Sequence, residues 1–405
     1  MDENKALADK LAPLCKDLAQ QVEALRTATD GPLDLDSKTR SSIVKVAQDI
    51  IHASRPPYAQ FSDHYVIFSE TAVQRTFLKW DAFDKIPLEG SISFADLAAA
   101  IDADVFLTSR MVRMLISTGF LLEPEKNHVA HTPRSSIFVT DKGFSALMKI
   151  NLYDEFVKPL AKPEYFETYG RKEPVDKAHS PYAFGVGAPG KTIWEIWQSR
   201  PGMMATFIQG MKGANGFMNI HGVYDFSWIA TEGAKHSPER VLLIDVGGGS
   251  GHTLKYILST VPELPKSQCM LQDLPVVVDA AEKANDPELE GVQFLGMDFH
   301  ASQPVQGALV YYIQRCLHDY DDDESKKILQ HIADVMAADS KLLIGEMVLA
   351  PDSPPFFYGV DLHMMAVSGK ERSVEDWEMI VASVGLRIEK IHFGTSLSVV
   401  ECVKV

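Results

Sequence analysis

The sequence predicts an α/β protein in which a mainly helical N-terminal part precedes a seven-stranded sheet. Three observations lead to this fold class. Helical spacing of apolar residues dominates the first half, strand and helix patterns alternate after Pro238, and the last two strands are nearly contiguous. Alternation implies parallel strands, whereas a very short link forces the last pair to be antiparallel. The expected sheet is therefore Rossmann-like, with its terminal strand reversed.

The composition is that of an ordinary globular chain with an acidic surface. The 405 residues allow two or three domains, and 39 basic against 55 acidic side chains give a net charge of −16. Such a surface repels a phosphate backbone, so nucleic acid is not an expected partner. The four cysteines form no CxxC pair, the start lacks a signal-peptide core, and no apolar run approaches the roughly 18 residues of a membrane span. We expect a cytoplasmic protein without a membrane partner.

The first segment, residues 1–55, has the spacing of amphipathic helices. Apolar residues of the first helix recur at Leu7, Leu11, Leu14 and Leu18. Those of a second helix are Val44, Val46, Ile50 and Ile51. An apolar stripe on a helix that has no core of its own suits a contact with a partner chain. We expect a homodimer through these N-terminal helices, with docking onto the rest of the chain as the alternative.

Residues 70–143 predict a unit of two helices followed by a strand pair. Ser93 and Asp96 form a box-like helix start, and a second helix and a hairpin follow. This order is that of a winged helix. Arg110 and Arg113 on the second helix would suit DNA binding, but the net charge of −16 favours a scaffold role.

The chain is expected to divide into three parts. Residues 1–190 form a helical domain with the winged-helix-like unit, residues 191–237 a helical connector, and residues 238–405 the α/β domain. Several apolar side chains before residue 238 are either plain core or the lining of a ligand pocket. They are Phe184, Trp194, Met203 and Phe207.

The α/β half begins with a continuous apolar strand at 241–246, as expected of a buried parallel strand. Further strands are predicted at 270–273, 292–297, 308–313 and 341–349. Helices are predicted at 251–260, 276–284, 323–337 and 374–384. The two closing strands, 386–393 and 396–405, have only Gly394 and Thr395 between them.

The strongest local signal is the turn Asp245-Val246-Gly247-Gly248-Gly249-Ser250-Gly251, where the first strand meets the first helix. Glycines there permit a tight turn and close approach of a ligand to the backbone. The residues assigned to cofactor binding in this turn are Asp245, Gly247, Gly248, Gly249 and Gly251. We therefore expect a nucleotide-type cofactor at this position.

Acids at the ends of the next two strands complete the predicted nucleotide site. Asp273, followed by Leu274, lies about 20 residues on, where an acid binds ribose hydroxyls. Its alternative role is capping of the following helix. Asp298 and Phe299 end the third strand and suit the amine and the face of an adenine. A dinucleotide or S-adenosylmethionine fits these positions, and the doubled glycine and the closing hairpin favour S-adenosylmethionine.

Taken together, DVGGGSG, QDLP, GMDF and RCLHDYDDDE resemble the class I S-adenosylmethionine-dependent O-methyltransferases of the caffeate and hydroxyindole type. The resemblance covers 240–405 and extends to the N-terminal half, which in this family dimerises and helps to cover the substrate. The length and the His131-Thr132 pair are most similar to fungal secondary-metabolite members. The resemblance implies S-adenosylmethionine as donor, S-adenosylhomocysteine as product and no metal.

The resemblance also implies a general base at His318. Histidine suits this role, because its unperturbed pKa is about 6.5 against about 10 for a phenol. In plant relatives two glutamates flank this histidine, and they map onto Glu346 and Glu371. A surface acid and a cap or ion pair are the plainer alternatives for these glutamates. Asp319 orients the site or caps the next helix.

Two further sets of residues follow from the family pattern. Family members line the acceptor pocket at positions that match Asp361, Met364 and Met365. Plant relatives carry lysine, and fungal ones often arginine, four residues before the histidine. This chain departs from that pattern with Gln314, followed by Arg315, and we expect this pair at the cofactor.

The leading hypothesis is methyl transfer to a hydroxyl of a small aromatic or polyketide-like acceptor. A second hypothesis keeps the cofactor without using its methyl group, as in fungal relatives that catalyse pericyclic or dehydration reactions. Retention of His318 and Asp319 favours methylation. A third hypothesis, a transcriptional regulator that uses the winged helix, would require tight and salt-sensitive DNA binding.

Overall fold

The computed structural model describes residues 3–27, 38–150, 162–351 and 353–405. The chain divides into two compact units, Met1–Asp141 and Lys142–Val405. The predicted boundaries after residues 190 and 237 both fall within the second unit, and the three-part division stays a prediction. None of the described helices has the length and apolar character needed to cross a membrane.

The first unit is mainly helical and contains one small antiparallel sheet. Its helices are α1 (Glu3–Thr27), α2 (Lys38–Ser54), α3 (Ala59–Lys79), α4 (Phe94–Ala100), α5 (Val105–Ser117) and α6 (Pro133–Thr140). Its strands are β1 (Ile92–Ser93), β2 (Leu121–Leu122) and β3 (His128–His131), with β3 in the middle. The oxygen of Ser93 accepts a hydrogen bond from the Asp96 N–H at 3.0 Å, so the predicted start of α4 is confirmed. The winged-helix assignment stays a prediction.

The core of the first unit is a cluster of aromatic rings. Phe83 lies 5.4 Å from Phe77, 5.8 Å from Phe120 and 5.3 Å from Phe138 between ring centroids. All four side chains are buried. The rings join α3 to β2 and α6 and so hold this unit together through apolar burial.

The second unit is built on the predicted seven-stranded sheet. Its strands are β4 (Leu243–Val246), β5 (Cys269–Asp273), β6 (Gln293–Gly296), β7 (Val310–Gln314), β8 (Lys341–Glu346), β11 (Leu386–His392) and β12 (Ser398–Lys404). The strand order is β11-β12-β8-β7-β4-β5-β6. Strand β12 is antiparallel to both neighbours, and the other neighbouring pairs are parallel. The mostly parallel sheet with one reversed strand is therefore confirmed.

Helices flank this sheet and precede it in the chain. Those before the sheet are α7 (Lys142–Met148), α8 (Glu164–Tyr169), α9 (Pro181–Gly185), α10 (Ile193–Gln198), α11 (Met203–Ala214) and α12 (Ser227–Gly233). Those within the alternating half are α13 (His252–Thr260), α14 (Pro275–Ala284), α15 (Asp322–Val335), α16 (Pro355–Ala366) and α17 (Val374–Ser383).

Two sequence-based boundaries in this half were wrong. The fifth strand ends at Glu346, and the following β9 (Val348–Leu349) pairs in parallel with β10 (Arg372–Ser373) in a separate small sheet. Continuous burial hides this break, because Glu346, Met347 and Val348 are all buried. The link between β11 and β12 is residues 393–397 instead of two residues. The sequence pattern assigned Phe393, Ser396 and Leu397 of this link to the two strands.

Candidate active site

The candidate site lies where the parallel strands of the second unit end. The glycine turn follows β4, Asp273 ends β5, and Glu346 ends β8. His318 lies in a short 3₁₀ turn, Leu317–Asp319, just after β7. Because parallel strands bring their carboxyl ends to one edge, residues distant in sequence meet there.

His318 is in contact with two buried carboxylates. Its Nδ1 lies 2.7 Å from Oε1 of Glu371 and 3.8 Å from Oε2 of Glu346. On the other side of the ring, Nε2 lies 3.8 Å from Oδ1 of Asp319. The structure therefore brings the four predicted catalytic residues together. In a neutral ring, Nδ1–H donates to Glu371 and leaves the lone pair of Nε2 available for a proton.

Backbone hydrogen bonds fix both glutamates. Oε1 of Glu346 accepts from the N–H groups of Cys316 and Leu317, at 3.0 and 2.9 Å. The N–H of Glu371 donates to Oδ1 of Asp361 at 2.9 Å. Asp361 was predicted to line the acceptor pocket, and its carboxylate also anchors the glutamate beside the imidazole.

Close packing of the next segment sets the position of Glu371. The N–H of Lys370 donates to the carbonyl of His318 at 2.9 Å. A Cβ on Gly369 would lie 2.2 Å from the same carbonyl oxygen, so only glycine allows this approach. The segment of residues 368–371 thus packs directly against the turn that carries the imidazole.

The electrostatics of this cluster favour a protonated imidazole. Burial lowers the pKa of His318, but the carboxylates of Glu346 and Glu371 outweigh it and raise the pKa to about 10. Burial raises the pKa of Glu346 to about 7, and the positive charge on His318 opposes that rise. The ring nitrogens are therefore the strongest proton acceptors of the cluster, and the ring must lose its proton before it can act as a general base.

Arg372 supports the imidazole turn from behind and was not predicted from the sequence. It is fully buried and donates to the carbonyls of Leu317 and Tyr320 at 2.9 and 2.8 Å. It also donates to Oγ of Ser325 and to Oδ1 of Asp322, at 2.9 and 3.0 Å. The only available sequence signal was its place next to Glu371.

The side chains of His318, Glu346 and Glu371 are close enough together to ligate a metal ion. One donor atom each from His318, Glu346 and Glu371 lies within 4.8 Å of the other two. One imidazole and two carboxylates can ligate a divalent transition metal. Here, however, the nearest pair is a 2.7 Å hydrogen bond between Nδ1 and Glu371. The expectation of a metal-free site stays a prediction.

The glycine turn after β4 has a backbone that other residues adopt only with strain. Gly247, Gly249 and Gly251 have φ values of +71°, +58° and +75°. A Cβ at Gly247 would lie 2.7 Å from Sγ of Cys316, whereas nothing lies within 4 Å of one at Gly249. The turn thus packs closely against the His318 motif at one residue and is open at another.

Two acids face this turn. Asp273 accepts from the N–H groups of Gly249 and Leu274 at 2.8 and 2.7 Å. Asp245 is buried, its Oδ2 has no hydrogen-bond partner, and a Cβ on Gly248 would lie 2.7 Å from that oxygen. Burial and then the charge of Asp273 raise the pKa of Asp245 to about 7. An unsatisfied acceptor at a glycine turn suits a ligand that brings its own N–H or O–H donors.

The other predicted cofactor residues lie around the same edge. The ring of Phe299 would be 3.6 Å from a Cβ on Gly247. Asp298 is exposed and accepts from the His300 N–H at 2.9 Å. Gln314 is engaged within the protein, because the Tyr312 hydroxyl donates to its Oε1 at 2.5 Å. The guanidinium of Arg315 contacts Met211 in the last turn of α11 and Asn215 directly after it.

The predicted acceptor residues fall into two groups. Met203 and Phe207 of α11 pack against a buried cluster that includes Ala366, the last residue of α16, and this helix carries Met364 and Met365. Trp194 joins this first group, with its ring 5.5 Å from that of Phe207. Phe184 belongs instead to a second aromatic group, 5.8 Å from Tyr165 and 6.1 Å from Tyr169.

Known proteins are similar to this chain in sequence. A family model described as the O-methyltransferase domain matches residues 171–387. Methyltransferase cfoD of Aspergillus candidus is 35% identical over 406 residues, which cover 98% of this chain and 99% of that protein. Methyltransferase pvhD of Talaromyces variabilis is 37% identical, over 80% of this chain and 89% of its own length.

Solved structures extend the likeness in fold to nearly the whole chain. OxaC in complex with SAH and oxaline has a TM-score of 0.84 at 20% identity, covering 98% of this chain and 100% of that one. LepI in complex with SAM has a TM-score of 0.81 at 22% identity, with the same two coverages. At these identities the likeness concerns the fold.

Proposed function

This chain belongs to the S-adenosylmethionine-dependent O-methyltransferase family, and we propose that it methylates a hydroxyl group of a small aromatic or polyketide-like molecule. His318 acts as the general base, and Glu346 and Glu371 support it. The observation that carries this proposal is the buried contact of 2.7 Å between Nδ1 of His318 and Glu371, with Glu346 beside it.

The base mechanism follows from the two sides of the imidazole. Glu371 holds Nδ1, so Nε2 is the nitrogen that accepts the proton of the acceptor hydroxyl. The imidazolium that forms lies between two carboxylates, and their charges offset the cost of placing it in a buried site. General base catalysis of this kind typically contributes about 10²–10⁴-fold in rate. Orientation of the acceptor by the pocket supplies the larger share.

The glycine turn and its acids fit the methyl donor. The open side at Gly249 leaves room next to the backbone, and the unpartnered Oδ2 of Asp245 can accept from a ligand. Asp273 would hold the ribose hydroxyls through the remaining lone pairs of its carboxylate. Asp298 and Phe299 would contact the adenine. When bound, S-adenosylmethionine supplies an electrophilic methyl group on a sulfonium.

The acceptor side is apolar and aromatic. Met203, Phe207 and Trp194 form one continuous group with the end of α16. Methionine side chains adapt to irregular ligands, and aromatic rings give a flat contact surface. These features support a small, largely apolar acceptor. The relatives named above are fungal proteins, which supports a place in fungal secondary metabolism.

The test is incubation of the chain with methyl-labelled S-adenosylmethionine and a panel of phenols and polyketides. We expect label in an acceptor, attached to oxygen when the product is located by mass spectrometry and NMR. A product with unchanged mass and no S-adenosylhomocysteine would overturn methylation and favour the non-methylating alternative. Label on nitrogen or carbon would overturn the hydroxyl as the accepting group.

The homodimer contact through the helices of residues 1–55 stays a prediction, and we also propose that a second copy of the chain covers an exposed aromatic stripe on α3. The stripe consists of Tyr58, which directly precedes α3, and of three residues on α3, all at helical spacing. Their side chains are largely exposed: Tyr58 (82%), Phe61 (76%), Tyr65 (67%) and Phe68 (70%). An aromatic side chain can bury about 150–250 Å². Because roughly three quarters of each of the four side chains is exposed, a partner that covers the stripe could bury about 400–700 Å² of it. A standard interface buries about 800 Å² per partner. The stripe alone thus approaches the area that a homodimer needs.

A further inference from the structure

Arg315 brings a positive charge to the active site without a carboxylate to neutralise it. Its Nη1 donates to Oδ1 of Asn215 at 3.3 Å, and its Nη2 contacts Sδ of Met211 at 3.4 Å. Its Nε is buried and has no hydrogen-bond partner. Both contacts are long, and both partners are uncharged. Throughout the described ranges, no carboxylate forms an ion pair with this guanidinium.

The position of Arg315 is set by its backbone. The residue follows β7 with a left-handed φ of +51°, and its N–H donates to the carbonyl of Gly345 at 3.0 Å. This conformation is rare for a residue with a side chain, so the surrounding structure holds it in place. The side chain is half-buried, and part of it remains accessible.

The neighbours of Arg315 connect it to α11 and to the acids of the base cluster. Asn215 and Met211 belong to the end of α11, the helix that also carries Met203 and Phe207. Burial lowers the pKa of the guanidinium, and the carboxylates of Glu346, Asp319 and Glu371 act against that effect. The acids that influence it most are therefore those of the base cluster.

Each of the two glutamates engages one carboxylate oxygen elsewhere, whereas its other oxygen, Oε2, is buried without a hydrogen-bond partner. Glu371 is hydrogen-bonded to His318, and Oε1 of Glu346 accepts two backbone N–H groups. An unpaired guanidinium in a partly buried site is costly unless a ligand supplies the opposite charge. A planar guanidinium pairs best with a carboxylate or another oxyanion.

We propose that Arg315 binds an anionic oxygen of the acceptor other than the hydroxyl that His318 deprotonates, so that the acceptor is an acidic small molecule such as an ionised enol, phenol or carboxylic acid. This inference builds on the proposed function, because it names the chemical class of molecule that enters the same site. Arg315 is then a specificity-determining residue. It selects charged acceptors over uncharged ones of the same shape.

The sequence predicted Arg315 at the cofactor, and the carboxylate of the methyl donor is indeed another anion that could reach this guanidinium. Our proposal reassigns the residue to the acceptor. The contacts with α11 and the influence of the base cluster favour the acceptor. The two sources are distinguished by measuring donor-product and acceptor binding separately in the same variants.

The test uses calorimetric titration of the full chain saturated with S-adenosylhomocysteine. The probes are two matched pairs, 4-hydroxycoumarin with coumarin and benzoate with benzamide, of which the first member of each pair is anionic at neutral pH. For the wild type we expect the anionic member of at least one pair to bind about 10- to 100-fold more tightly, as for a hydrogen bond to a charged group. In Arg315→Gln that preference should fall to within about threefold.

Arg315→Lys is the matched control, because it keeps the charge and loses the planar fork. Its preference should lie between those of the wild type and Arg315→Gln, and both variants should bind S-adenosylhomocysteine as the wild type does. If Arg315→Gln does not fold, a Lys variant with undiminished preference overturns the proposal.

Three results contradict the inference. Arg315→Gln could keep the anion preference, the wild type could bind neither anionic probe more tightly than its neutral counterpart, or Arg315→Gln could lose affinity for S-adenosylhomocysteine with the preference unchanged. The last result would assign the guanidinium to the donor. Because these titrations involve no methyl transfer, they stand apart from the labelling assay that tests the proposed function.

Discussion

The α3 stripe of the first unit and the His318 cluster of the second each have an unfavourable solvation free energy, for opposite reasons. The stripe exposes four aromatic side chains, which remain in contact with water. The cluster buries an imidazole and two carboxylates, which are withdrawn from water. An exposed apolar stripe is stabilised by a protein surface, whereas buried charges are stabilised by each other and by protons. The two regions are thus expected to respond to different partners.

This comparison predicts that substitutions in one region leave the property of the other unchanged. Changes in the cluster should alter rates and pH dependence without altering the oligomeric state. Changes in the stripe should alter the oligomeric state without altering the binding of S-adenosylhomocysteine.

The largest effect is expected for His318→Ala. Loss of the base should lower kcat by about 10²–10⁴-fold, because the acceptor then has no group to take its proton. S-adenosylhomocysteine affinity, measured by calorimetry, should stay within about threefold of the wild type, a difference well below one hydrogen bond to a charged group. His128→Ala, on β3 of the first unit, is the control. A His318→Ala variant that methylates at the wild-type rate would exclude the imidazole as base.

The next effect is expected for the double substitution Phe61→Ser and Phe68→Ser. Loss of two aromatic contacts per protomer should raise the dimer dissociation constant by at least about 100-fold. Sedimentation velocity measures this change. Phe106→Ser is the matched control, because Phe106 is 77% exposed on α5, outside the stripe. A wild type that sediments as a monomer at micromolar concentration would contradict the proposed interface.

Arg372→Gln is expected to lower kcat less than His318→Ala does and also to lower the free energy of unfolding. The change leaves the carbonyls of Leu317 and Tyr320 without their buried donor, at a cost of about 3 kcal/mol in the free energy of unfolding. Thermal unfolding should begin at a lower temperature, and kcat should fall because the His318 turn loosens. An unchanged unfolding temperature would mean that other contacts hold this turn.

The sequence predicted most residues of the candidate site but not the residues that hold them in place. The glycine turn, the strand ends and the histidine motif are local patterns, and the resemblance to a family linked them to Glu346 and Glu371. The fold places these residues as expected, next to His318. Their distances in sequence carry no such information, because the parallel sheet brings Glu346 to His318 and the packing of Gly369 and Lys370 on the His318 turn brings Glu371 there.

What was missed depends on tertiary partners. The sequence does not show that Asp361 accepts from the Glu371 N–H, or that Arg372 is fully buried behind His318. A charged side chain is ordinarily exposed, so its burial follows only from carbonyls that converge on it from another segment. The break at Met347 was missed for a similar reason, because both sides of it are buried.

The central claim is that two carboxylates tune His318 as a base, and the pH profile of kcat/KM tests it most directly. The base form of the ring gains population as pH rises, so kcat/KM should rise along the acid limb. Glu371→Gln replaces a carboxylate that raises the pKa of His318, so the limb should move to lower pH by roughly 1–3 units. Glu375→Gln, four residues further on, should leave it in place. The same acceptor is used for all variants, so its own ionisation affects every profile equally. An acid limb that stays fixed or moves to higher pH in Glu371→Gln would contradict the claim.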